Sequence, residues 1–83
     1  MLKVSVISPE AVLFGGETDS VVAPAYDGEI GILTGHAPLM ALLGDGALRL
    51  GGTAGPRFNV TGGFMQVLNN DVRIVTEKAT AAN

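Results

Sequence analysis

The apolar residues of this chain come in short runs with a period near two, broken every 6–12 residues by Gly, Pro, Asn or Asp. That punctuation constrains the fold more than any other feature. Period-two alternation places every second side chain on one face of an extended strand, and turn residues at such intervals keep the strands short. The one stretch that could be helical, Pro38–Leu43, is too short to stand alone as a helix. Glycine contributes 12 of 83 residues, about twice its ~7% background, and is spread among the apolar runs as tight turns require. The pattern predicts an all-β chain folded as a β-sandwich rather than a closed barrel.

Strands are expected at 2–7, 12–15, 20–26, 29–33, 39–43, 47–50, 57–61, 64–68 and 72–76. Asp27-Gly28 favours the positive φ angles of a type I′ turn and predicts a hairpin into Glu29–Leu33. Asn69-Asn70-Asp71 predicts a second tight hairpin. Thr34–Pro38 reads as a loop, Gly44-Asp45-Gly46 as a turn and Gly51–Pro56 as a flexible connection. The small residues from Ala79 to Asn83 are expected to fray.

Size and composition remove several classes of function. Residues 1–83 amount to one domain, and a domain this small buries only roughly 60–65% of its unfolded surface, leaving little core to give up to a catalytic cleft. Hydrophobic residues make up 47%, which excludes a disordered tail. The absence of cysteine excludes disulfides, thiolate metal sites and thiol catalysis. Lys3, Arg49, Arg57, Arg73 and Lys78 are scattered in a chain of net charge −3 without Trp, so neither a phosphate-binding patch nor a base-stacking platform is expected, and nucleic acid is not a partner. No apolar run approaches the ~18 residues of a membrane span, and Met1–Ser5 does not read as the start of a signal peptide. The expectation from these features is a soluble cytoplasmic protein without membrane insertion.

Candidate chemistry is sparse. His36 is the only histidine, and none of Ser5, Ser8 or Ser20 lies in a strained nucleophile turn, so a Ser-His-Asp site is not expected. Asp27, Glu29 and His36 lack the compact spacing of metal ligands and read as turn acids and a loop histidine. Gly28, Gly31 and Gly35 are not spaced as a phosphate loop and read as turns. A lipoyl or biotinyl carrier domain needs a lysine at a mid-chain hairpin tip, whereas Lys3 and Lys78 lie near opposite ends. No cofactor, metal or catalytic residue is therefore expected.

The segment Asp27-Gly28-Glu29-Ile30-Gly31-Ile32-Leu33-Thr34-Gly35-His36-Ala37-Pro38-Leu39 is the most specific in the chain. It resembles the epsilon subunit of bacterial rotary ATP synthases, whose N-terminal domain carries a G-E-x-G-I-x-x-G-H-A-P-L stretch. Val4–Glu10 is similar to that family's opening strand, Val60-Thr61-Gly62-Gly63-Phe64 to its S-G-G-F/I element, and Val72–Glu77 to its closing strand. Thr34 stands where the family usually has proline. The family's two-helix C-terminal domain, with its inhibitory and ATP-binding roles, has no counterpart within these residues.

The resemblance implies a ten-stranded sandwich and a non-catalytic rotor subunit. That subunit joins gamma to the ring of c subunits, as a peripheral part of the complex on the cytoplasmic face of the bacterial inner membrane. On this basis Asp27, Gly28 and Glu29 are expected to face the c ring, and His36, Pro38, Leu39 and Met40 to lie against gamma, with Gly31, Gly35, Gly62 and Gly63 as structural turns. Leu39 and Leu42 fit core packing equally well, and Met40 and Met65 fit either adaptable contact or gap-filling. The competing function is a free-standing β-sandwich binding module whose ligand the sequence does not name.

Overall fold

Leu2, Val4 and Val6 alternate with Lys3, Ser5 and Ile7, and in the computed structural model, which describes residues 1–52 and 55–82, the first three are sealed in the interior. The same alternation builds ten strands: β1 (Leu2–Ile7), β2 (Val12–Thr18), β3 (Ser20–Ala25), β4 (Gly28–Leu33), β5 (Leu39–Leu42), β6 (Asp45–Leu50), β7 (Arg57–Thr61), β8 (Phe64–Leu68), β9 (Asp71–Val75) and β10 (Lys78–Ala82). They form two five-stranded sheets, ordered β2-β1-β9-β8-β5 (sheet A) and β10-β7-β6-β3-β4 (sheet B). No α-helix occurs among the described residues, and the all-β sandwich expected from the sequence is the observed fold.

The core lies between the sheets. Leu2, Val4, Val6, Met65, Val67, Val72 and Ile74 come from sheet A and meet Val21, Ala23, Ile32, Leu48, Leu50, Phe58 and Val60 from sheet B. All pairings within the sheets are antiparallel except β1 with β9, which run parallel and close sheet A with strands far apart in sequence. Thr76, buried where the chain crosses from β9 to β10, has its hydroxyl 3.2 Å and 3.0 Å from the carbonyls of Thr61 and Lys78, so burial leaves no polar group unmet there.

Several expectations need correction. Ala79–Ala82, expected to fray, pair with Arg57–Val60 as part of β10, because β7 offers a free edge whose backbone groups would otherwise be unpaired; Asn83 lies outside the described residues. The second strand does not stop at Gly15 but continues to Thr18, since β1 presents a full row of partners from Leu2 to Ile7. The strand expected at 39–43 forms as Leu39–Leu42, paired to Phe64–Val67, with Leu43 making only an isolated bridge to Ala25. Gly31 is not at a turn; it lies mid-strand in β4, opposite Val22. The Gly51–Pro56 connection falls partly on residues outside those described.

The turn at Asp27 is also displaced by one residue. Ala25 pairs with Gly28, so Tyr26 and Asp27 form the loop, and of these four residues only Gly28 has positive φ, +137°. The core sets this register. It places Val21 and Ala23 opposite Ile32 and Ile30, whereas a loop of Asp27-Gly28 would set Thr34 against Val21. A type I′ geometry occurs instead at Asn69-Asn70, with φ of 50° and 63°, between β8 and β9.

Candidate interaction surface

The sequence-designated contact residues flank β4 and β5, with the Asp27–Glu29 tip at one end of β4 and the His36 loop at the other. Asp27, Gly28 and Glu29 are exposed at the β3–β4 tip. That tip is tied to the end of β5 by two backbone hydrogen bonds at the crossing between sheets, Tyr26 N to Leu42 O at 2.9 Å and Gly44 N to Pro24 O at 2.8 Å, while Leu43 N donates to Gly63 O of the β7–β8 turn at 2.9 Å. The tip and β5 therefore move as one unit. Between them opens a concavity of about 560 Å³, bordered by Tyr26, Asp27, Glu29, Ile30, Leu39 and Leu42.

Glu29 does not stand alone. Arg49 on β6 reaches across β3, and its Nη2 donates to both Glu29 carboxylate oxygens at 3.2 Å. Gly31, which lacks a side chain, occupies the row Arg49–Val22–Gly31 beside that bridge. The carboxylate is thus held flat on the outward face of sheet B, although it remains 60% exposed.

The Gly35-His36-Ala37-Pro38 loop is fixed from within. His36 N donates to Leu33 O at 3.1 Å, His36 Nδ1–H donates to Ala37 O at 2.7 Å, and Gly35 N donates to Asn70 Oδ1 at 2.7 Å. The last bond joins the loop to the β8–β9 hairpin, so the direction in which Pro38 feeds β5 is set by two elements. Gly62 and Gly63 form the β7–β8 turn, both with positive φ. His36 is half-buried and Pro38 exposed.

The residues that could serve equally as core or contact divide cleanly. Leu39 packs against the core and Met65 is sealed within it, whereas Met40 and Leu42 point outward, 61% and 68% exposed. The designated gamma-facing set is therefore split, with Leu39 turned inward and Met40 outward. Asp27, Glu29 and His36 do not form a metal-ligand group, and no group of three or more His, Asp or Glu suited to a metal occurs among the described residues.

The largest feature of this surface was not apparent from sequence. On the outward face of sheet A, Val12 pairs with Ile7, Ile7 with Val75, Val75 with Phe64, and Phe64 with Leu42. Five apolar side chains thus form an unbroken row across all five strands. Four inter-strand spacings of 4.7–4.9 Å make it about 19 Å long. The outward face of a sandwich sheet normally carries polar residues, as the neighbouring row Gly15–Ser5–Arg73–Gln66–Met40 largely does. The row runs into Leu42, which also borders the concavity at the hairpin tip. Its members lie in five separate segments, and the only sequence signal was that each is apolar at an outward position of its strand.

A family model described as the β-sandwich domain of the ATP synthase delta/epsilon chain matches residues 1–82. The ATP synthase epsilon chain of Leptospira borgpetersenii serovar Hardjo-bovis is 49% identical over 77 residues, covering 92% of this chain and 61% of that protein. The ATP synthase epsilon chain of Chlorobium limicola is 39% identical over 77 residues, covering 90% of this chain and 88% of that protein. The fold is shared with a chain of the Euglena gracilis mitochondrial ATP synthase, in a structure of OSCP, F1 and c-ring in rotational state 1. That match has a TM-score of 0.86 at 23% identity and covers 96% of this chain and 52% of the other. With residues 1–82 matched and epsilon chains related along nearly its full length, the chain belongs to the family of the ATP synthase delta/epsilon chain β-sandwich domain.

Proposed function

We propose that this chain is a non-catalytic rotor part of an ATP synthase, joining the gamma subunit to the c ring so that proton flow drives ATP synthesis. In this reading gamma seats on the outward face of sheet A, and the Asp27–Glu29 tip meets the c ring. The whole lies at the cytoplasmic face of a bacterial inner membrane, as a peripheral part of the complex.

The apolar row Val12–Ile7–Val75–Phe64–Leu42 carries the gamma half of this reading. A solvent face has no reason of its own to present such a row, and contiguous exposed apolar surface marks a protein contact. The family's rotor context makes gamma the occupant. For the ring half, the tip offers exposed polar and acidic groups braced against β5, a rigid shape suited to transmitting a sideways load.

The test is co-purification with gamma. Leu42 is mostly exposed, so Leu42→Asp should leave the fold intact. Burial of a leucine side chain contributes about 1.5–3 kcal/mol, so the variant is expected to lose gamma binding by at least about tenfold. Undiminished capture of gamma by folded Leu42→Asp would move the interface to another face.

A further inference from the structure

The outward face of sheet B holds an electrostatic mismatch beside Glu29, the proposed ring contact. Arg49 on β6 and Arg57 on β7 are directly opposite each other, so their side chains leave the same face from neighbouring positions, Arg49 turning over β3 to Glu29 and Arg57 bordering the β6–β7–β10 side. Like charges in that relation oppose strand pairing. A single carboxylate answers them, Glu29, and it is bound to Arg49 alone. Among the described residues Arg57 has no ion pair, and Nε of both arginines is buried without an acceptor. A buried donor left unmet is costly, and more so when charged.

The surroundings leave room for a ligand. Ala47, Asn59, Ala81 and Ala82 border, with Arg57, a concavity of about 490 Å³ beside the guanidinium group. The small side chains keep the floor low, so a backbone could approach closely. An arginine fork matches a planar carboxylate through two parallel hydrogen bonds.

We propose that this face docks an acidic segment of a protein partner, one carboxylate being received by Arg57. Two of the chain's five cationic side chains leave this face from neighbouring strands, while the chain as a whole carries −3. That overall charge opposes attraction to an extended anionic surface such as a membrane or nucleic acid, so recognition must be local and directional.

Because their Nε–H groups are sealed from solvent, Arg49 and Arg57 should give resolved side-chain NMR signals. The probe is a blocked tetraglutamate peptide titrated into the 83-residue chain. Inorganic phosphate and phosphatidylglycerol vesicles serve as separate arms. The peptide is expected to shift the Arg57 Nε–H signal more than that of Arg49. Arg57→Gln should weaken binding by about tenfold or more, the effect of losing a charge-assisted hydrogen bond. Arg57→Lys, which keeps the charge without the fork, should recover only part of the affinity and guards against a Gln variant that fails to fold. The proposal is overturned if the signals stay fixed at millimolar peptide, or if folded Arg57→Gln binds as well as the parent. It is overturned equally if phosphate or vesicles move the same signals at lower concentration than the peptide.

Discussion

Gly63 shows how closely the backbone is packed where β7 turns into β8. Its φ is +101°, and a Cβ placed there would overlap the Val75 carbonyl oxygen and lie 2.7 Å from Thr76 Cα. Gly63→Ala is therefore expected to lower the unfolding free energy by about 2–3 kcal/mol in a denaturant titration. Gly28 also has positive φ, but open space surrounds it, so Gly28→Ala should cost only about 1 kcal/mol. Equal losses at the two positions would mean that backbone conformation alone, and not the close approach to β9, explains Gly63. Glu29 poses a different question, because its carboxylate already has a partner in Arg49. An ion pair this exposed contributes at most about 1 kcal/mol, so Glu29→Gln should leave stability nearly unchanged while impairing ATP-driven proton pumping. Exchanging the charges, Glu29→Arg with Arg49→Glu, retains the pair but reverses its orientation. If the carboxylate meets the ring from position 29, pumping stays impaired in the exchanged protein; full recovery would assign Glu29 a role in the sandwich only.

Strands and hairpins were far more legible than their ends. β1 and β7 lie where alternation put them because Leu2, Val4 and Val6, or Phe58 and Val60, have only one way to reach the core. β10 escaped notice because Lys78–Ala82 carries almost no apolar signal; it forms from backbone pairing on a free edge, which local sequence does not record. The Asp27-Gly28 turn slid by one residue because the contact of Val21 and Ala23 with two isoleucines outweighs local turn preference. The contact surface was legible only in part. The hairpin tip and the His36 loop stood out as a contiguous stretch, whereas the apolar row exists only after five strands are set in register. The bond from Gly35 N to Asn70 Oδ1 joins residues 35 apart and was equally invisible. Asn70→Gly keeps the left-handed conformation of the hairpin but removes this acceptor. It is expected to speed hydrogen exchange at the Gly35 amide and to cost about 0.5–1.5 kcal/mol. An unchanged Gly35 exchange rate would show that the loop is held by its other bonds.

The proposed coupling role requires stiffness between two contacts, and the connectivity of the sandwich is of a kind that provides it. The parallel β1–β9 pair closes sheet A, and the Pro24–Tyr26 to Leu42–Gly44 seam ties sheet B to it. Force entering at the hairpin tip passes along β5 into the same sheet that bears the apolar row. The proposed seats for the ring and for gamma are therefore joined by hydrogen-bonded backbone rather than by a hinge. The most direct measurement is gamma binding by the doubly substituted Val12→Asp, Leu42→Asp chain, which alters both exposed ends of the row, with circular dichroism to verify the fold. The expected result is a β-rich chain that no longer captures gamma, while the same substitutions at exposed Thr80 and Lys78 on sheet B leave capture intact. A folded double variant that binds gamma as tightly as the parent would contradict the assignment of sheet A as the rotor-facing surface.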